Sequence, residues 1–141
     1  MKKVFVDTNI LIDLLAERKP FSKYAVDLFN RAEKKSVKLY TSSHSFATTH
    51  YLLKKYSEEK ELREVLYSLL DLIELIPIDT DIIKKGLKSR FKDFKDFEDS
   101  IQIYSANKVE RLDFIVTRNL KDFIDCGFIV LPPEELIQQL A

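Results

Sequence analysis

Asp7 ends the apolar run Val4, Phe5 and Val6 and stands before Thr8, Asn9 and a second apolar stretch, in "VFVDTNILIDLL". A carboxylate at such a junction is costly to bury unless it is hydrogen-bonded, bound to a cation or left in water. Two other places in the chain share this character. In "DFEDS", Asp96 and Asp99 are three apart, so they fall on one face of a helix, near an N-terminus whose dipole favours negative charge. In "FIVTRNLKDF", Thr117, Arg118 and Asn119 leave an apolar segment, and Asp122 follows one turn later.

If Asp7, Asp99 and Asp96 converge, joined by Asn119 or Asp122, their like charges repel in a low dielectric. Protonation or a cation must then offset them. Hard oxygen donors without a cysteine–histidine grouping suit Mg²⁺ or Mn²⁺. Such an ion polarises a phosphoryl oxygen and acidifies a bound water, and a pair of ions steadies both oxygens of an in-line displacement. Taken singly, each aspartate also reads as an ordinary helix cap. Their joint placement at one edge is what argues for a site, with Asp7, Asp99 and Asp96 as metal ligands.

Those residues must be positioned by a fold. Short apolar runs at "VFV", "VKLYTSS", "IELIPI", "DFIVT" and "FIVL" read as strands. Between them lie amphipathic helices: "NILIDLLAE", capped by Thr8 or Asn9, "SKYAVDLFNRAEKK", and "HSFATTHYLLKKY", capped by Ser43. Then come "EKELREVLYSLLDL", "DTDIIKKGLKS" with Asp79 as cap, and "DFEDSIQIYSANKV". "PEELIQQL" closes the chain with proline in its first turn. Strands that are apolar throughout and alternate with helices predict a three-layer α/β/α fold around a mostly parallel sheet. In such a sheet ligands bind outside the carboxyl ends of the strands, where Asp7 and Thr117 fall.

The bulk composition narrows the function classes. One domain over 1–141 is expected, since the chain has 141 residues and no repeat or low-complexity linker. Lys plus Arg and Asp plus Glu are equal at 23, so nucleic-acid binding must come from a local patch. The only glycines, Gly86 and Gly127, exclude glycine-rich phosphate loops. The single cysteine, Cys126, excludes an internal disulfide and agrees with a reducing, cytoplasmic setting. No apolar stretch is long enough to span a membrane, and no secretory signal is read.

The stretches "VFVDTNILIDLL", "DFEDSIQIYSA" and "FIVTRNLKDF", in this order and spacing, resemble the PIN-domain family, including its VapC-like toxins from toxin–antitoxin pairs. The resemblance implies a Mg²⁺- or Mn²⁺-dependent endoribonuclease, often dimeric and held inactive by an antitoxin protein. It implies that Asp7 and Asp99 bind metal directly, with Asp96 as a helper. Asn119 falls where many members carry aspartate, and Asp122 restores that charge one turn on. Thr8, Asn9 and Thr117 would fix the loop around Asp7, and Ser43 takes the polar start of the helix after the second strand. The family's pattern places glutamate further along that helix, where this chain has Thr48. Thr48 reaches a metal-bound water without adding charge, and His44 or His50 would be the only nearby substitute donors. The departure implies an alternative, a catalytically weak or inactive module that binds RNA or protein.

Arg118 and Lys121 are the expected phosphate contacts, with Lys54, Lys55, Arg90, Lys92 and Lys95 as further cations for RNA or single-stranded DNA. Arg118 would clamp a phosphate or pair with Asp99. Phe91, Phe94 and Phe97 recur every third residue, which reads as a core stripe more than a base-stacking platform. Leu11, Leu14, Leu15, Tyr24 and Phe29 exceed what one covering layer needs and would form a dimer or antitoxin face. A covalent aspartyl phosphotransferase of haloacid-dehalogenase type would want aspartate two residues after Asp7, where Asn9 stands.

Overall fold

Each apolar run becomes a strand, and each strand hands the chain to a helix. A computed structural model describes residues 1–89 and 97–141 of the protein. The elements follow in the order β1 (Lys2–Val6), α1 (Thr8–Leu15), α2 (Ser22–Glu33), β2 (Val37–Ser42), α3 (Ser43–Leu53), α4 (Glu59–Leu69), β3 (Ile73–Ile76) and α5 (Thr80–Lys88). After the undescribed residues come α6 (Phe97–Ala106), β4 (Phe114–Val116), a 3₁₀ turn (Leu120–Phe123), β5 (Val130–Leu131) and α7 (Pro133–Leu140).

The strands form one sheet in the order β3-β2-β1-β4-β5, and all four ladders are parallel. β1 lies at its centre, with Val4, Phe5 and Val6 opposite Phe114, Ile115 and Val116 of β4. Alternation along β1 feeds two cores. Val4 and Val6 pack with Ile10, Leu28, Leu39, Leu66 and Leu136, under α1, α2, α4 and α7. Phe5 packs with Tyr40, Ile103, Ile115 and Phe123, under α6 and the 3₁₀ turn. These are the two outer layers of the predicted three-layer fold. α5 rests on α6, and Gly86 lets them approach: a Cβ there would meet the Phe97 ring at 3.0 Å.

Two caps differ from expectation by one residue. Asp7, not Thr8 or Asn9, is the N-cap of α1, and its extended backbone (φ −76°, ψ 159°) lets the carboxylate accept the Thr8 N–H. Ser42, not Ser43, caps α3 by accepting the Ser45 N–H at 2.9 Å, because β2 ends at Ser42, one residue before the expected strand does. Ser43 Oγ instead accepts the Ile78 N–H at 3.1 Å and ties α3 to the end of β3. Asp79 caps α5 as expected. Leu11 and Phe29 belong to the core and cannot form a docking face, whereas Leu14, Leu15 and Tyr24 are half-buried. Phe91 and Phe94 lie outside the described residues, and Phe97 is exposed to 38% against α5 rather than in the core. Among the described residues no helix is long and apolar enough to cross a membrane.

Leu39, fully buried on β2, measures the main core. Leu39→Ala is expected to lower unfolding stability by about 3 kcal/mol through the lost transfer energy and the cavity left behind. Val26→Ala on the exposed face of α2 should cost under about 0.5 kcal/mol. Urea melts of the two variants check this.

Candidate active site

β1 and β4 end side by side, and their last turns build one polar cluster. The Asp7 N–H donates to Val116 O at 3.0 Å, so the chain leaves the sheet in register with β4. Thr41, buried on β2, donates its hydroxyl to Val6 O at 2.7 Å and fixes the peptide just before Asp7. The position of Asp7 is therefore set by the sheet rather than by a loop.

The Asp7 carboxylate is surrounded by neutral donors. Its Oδ1 accepts the Thr8 N–H at 2.9 Å and the Gln102 amide at 3.1 Å. Its Oδ2 accepts the Thr117 hydroxyl at 2.7 Å and the Asn9 amide at 3.3 Å. Thr117 in turn accepts the Asn9 amide at 3.2 Å and the Asn119 N–H at 3.0 Å, and Asn9 Oδ1 accepts the Arg118 N–H at 3.3 Å. Thr8, Asn9 and Thr117 thus bond directly to the carboxylate, and Asn9 also ties it to the turn after β4. Burial pushes the Asp7 carboxyl above the usual carboxylate range; the bonds from Thr117, Gln102 and Thr8 pull it back, and the charge of Asp122 pushes it up.

Gln102 and Ser45 also belong to this cluster, and the sequence did not single them out. Gln102 is buried on α6, three residues after Asp99 and so on the same helix face. Its amide reaches Asp7 and Ser45 Oγ, and its carbonyl accepts the Ser42 hydroxyl at 2.6 Å. Ser45 Oγ also bonds to Thr8 Oγ1 at 2.7 Å. The only hint was an amide in the otherwise apolar stretch "IQIY". Thr48 stands three residues beyond Ser45 on α3, half-buried on that same face, and supplies no charge.

The remaining candidates scatter around this centre. Asp99 is half-buried in the first turn of α6, and Asp122 sits in the 3₁₀ turn within electrostatic reach of Asp7. Asn119, exposed, opens that turn, and Lys121 is exposed beside it. Asp96 lies outside the described residues, as do Arg90, Lys92 and Lys95. His50 bonds to Glu59 at 2.7 Å and pins α3 to α4, while His44 stands 3.7 Å from the exposed Glu98.

Arg118 pairs not with Asp99 but with Asp13. Its Nε and Nη2 meet the two carboxylate oxygens at 2.6 and 3.0 Å. Asp13 is 1% exposed on α1, and the guanidinium lies 4.0 Å over the Phe21 ring. A planar fork is suited to such a stacked, bidentate pair. The pair straps the end of β4 onto α1, and its sequence signal was a lone carboxylate inside "ILIDLL".

Among the described residues no three of His, Cys, Asp or Glu stand close enough to enclose a metal ion. Asp7, with Asp122 within electrostatic reach, fits a hydrated divalent ion held through one or two carboxylates, which is how Mg²⁺ is commonly bound. The described residues do not by themselves form a closed carboxylate cage.

Comparison with known proteins agrees with this geometry. The profile of the PIN domain family matches residues 3–121. "Ribonuclease VapC1" of Aquifex aeolicus is 31% identical over 140 residues, covering 98% of this chain and 95% of that protein. A toxin–antitoxin complex from Klebsiella pneumoniae contains a chain 26% identical, with TM-score 0.62 over 92% of this chain and 97% of that one. VapC20 of Mycobacterium tuberculosis, described as a sarcin-ricin loop cleaving toxin, shares the fold, with TM-score 0.66 and 18% identity over 89% of this chain and 96% of its own.

Two outcomes follow from this geometry. The raised Asp7 carboxyl holds its proton more tightly when folded, so its contribution to stability is full below the ordinary value of 3.8 and is lost as pH rises through the folded-state value. Asn at this position still accepts from Thr8 and Gln102 and carries no charge to desolvate. Asp7→Asn is therefore expected to melt above wild type at pH 7 with chelator present, the gap closing below pH 3.8. A variant that melts lower at pH 7 shows that the donors outweigh burial. For the strap, Asp13→Ala leaves Arg118 without its anion and is expected to cost about 3 kcal/mol in denaturant unfolding.

Proposed function

The chain belongs to the PIN-domain family, and on that premise we propose that it is an RNA-handling member with a weakened hydrolytic centre. It engages RNA phosphates around one hydrated Mg²⁺ or Mn²⁺ and cleaves phosphodiester bonds slowly. The observation that carries this reading is the neutral wall around Asp7. α3 brings the hydroxyl of Ser45 to this side, with Thr48 three residues further along the helix, and α6 brings the amide of Gln102. None of these adds the negative charge that would hold a second ion or bind a first one tightly.

In this reading Asp7 binds the ion directly and Asp99 is the second ligand, with Asp96 assisting. Asp122 and Asn119 line the β4 side. When bound, the ion would polarise the phosphoryl oxygen and acidify water. The chain's own residues do the rest. Thr117, Asn9 and Thr8 hold the carboxylate still, and Lys121 at the rim meets phosphate. Arg118 contributes by bracing the loop through Asp13. The unit that acts is a single domain over 1–141.

A second reading is full endoribonuclease activity as the toxin of a toxin–antitoxin pair, dimeric and restrained by an antitoxin protein. The 31% identity to a protein named ribonuclease favours it.

Cleavage of a structured RNA pool with Mn²⁺ separates the two readings. Wild type is expected to cleave slowly, Asp7→Asn and Asp99→Asn not at all, and Thr48→Glu at least about tenfold faster than wild type, because the added ligand holds the ion. Wild-type cleavage that Thr48→Glu does not improve, yet Asp7→Asn abolishes, establishes the second reading instead. Equal rates in wild type and Asp7→Asn remove both.

A further inference from the structure

Resting on the reading of Asp7 as a cation ligand, we propose that Gln102 is a reversible ligand at the same site, turning its side-chain amide over when a divalent cation binds. The placement of Gln102 is the first support. It is 5% exposed, wedged between the ends of β1 and β2 and the first turn of α3, with its amide against Asp7 Oδ1. It is an uncharged side chain that touches the candidate ligand and carries an amide oxygen able to serve that ion.

The hydrogen bonds give the second support. As found, both amide hydrogens are used, one on Asp7 Oδ1 and one on Ser45 Oγ, and the carbonyl accepts from Ser42. The partners other than Asp7 are hydroxyls, which donate or accept by rotation. Ser45 can donate to an inverted Gln102 carbonyl while accepting from Thr8 Oγ1, and Ser42 Oγ can accept from the inverted amide. Inversion therefore keeps the contacts to Ser45 and Ser42 with donor and acceptor exchanged, and gives up the bond to Asp7. It places Oε1 beside the Asp7 carboxylate, which is repulsive, and it leaves one amide hydrogen and the Ser42 hydroxyl hydrogen without their partners. With no cation the observed orientation wins. A divalent cation at Asp7 reverses the balance, since two facing oxygens then become ligands and the N–H would be repelled.

Ser42, Ser45 and Gln102 thus form a relay of neutral groups that stabilises the ionised Asp7 without metal and releases it to metal. It supplies oxygen where Thr48 supplies no charge, and it costs the apo protein no further buried anion.

The test is Mn²⁺ affinity by calorimetry, with folding checked by melting. If Gln102 only donates to Asp7, removing it frees a lone pair, and Gln102→Met binds Mn²⁺ as well as wild type or better. If Gln102 turns to become a ligand, Gln102→Met weakens binding by about tenfold and Gln102→Glu strengthens it by a similar factor. Unchanged or tighter binding in Gln102→Met overturns the proposal while leaving Asp7 as a ligand. Absence of any Mn²⁺ binding by wild type overturns both this proposal and the metal-site reading. Should Gln102→Met not fold, the wild-type Gln102 side-chain amide is followed by ¹⁵N NMR with Mg²⁺. The proposal expects its hydrogens, protected in the cation-free protein, to exchange faster at saturation, and unaltered protection overturns it.

Discussion

The structure turns on one buried carboxylate that the central strand cannot avoid placing. β1 is the middle strand, covered on both faces, and its register with β4 is set by Val4, Phe5 and Val6. Asp7 is the next residue. It enters the polar seam between β1 and β4 with the Asp7 N–H already committed to Val116 O. A charge in that place must be solvated by the protein. The turn after β4 supplies a hydroxyl from Thr117, the first turn of α1 supplies the Thr8 N–H and the Asn9 amide, and α6 supplies Gln102. Much of the arrangement above the sheet is the solvation shell of that one group.

The same constraint explains why Arg118 is turned away from the cluster. A guanidinium beside Asp7 would neutralise it and leave no role for a cation. Here Asp13, inside the apolar face of α1, takes the fork on both oxygens, and Phe21 covers its plane. Only the Arg118 backbone N–H, through Asn9, touches the network. The positive charge nearest in sequence to the Thr117 turn is thereby spent on anchoring β4 to α1.

The layers, the strands and the parallel order were legible because apolar runs bounded by polar residues carry their own signal, and because buried parallel strands do not alternate. Asp7, Thr8, Asn9 and Thr117 were legible for a related reason: polar residues directly after apolar strands fall at the ligand edge of such a sheet. What the chain concealed was partnership across distance. Gln102 lies 95 residues from Asp7, and Ser45 lies 57 from Gln102. No local pattern announces such pairs. The caps at Asp7 and Ser42 slipped by one residue because strand ends are set by ladder bonds, which hydropathy does not report. Asp13 was passed over because an aspartate in a short helix reads as a solvent-facing residue until its partner is known.

Neutral groups where charges are expected change the kind of metal chemistry a site can support. Each additional carboxylate around a divalent ion raises affinity but also raises the cost of the empty state, since the anions then repel in a poorly solvated pocket. Hydroxyls and amides reverse that balance. They favour the ionised form of a single Asp7 through hydrogen bonds, and would meet an ion only through dipoles. Under the proposed function, with neutral donors rather than carboxylates touching Asp7, an ion would retain most of its water. A weakly held, well-hydrated ion exchanges readily and lowers the pKa of its water less than a tightly held one does. Under the proposed function, weak affinity and slow hydrolysis would then be one property, set by dipoles rather than charges around Asp7.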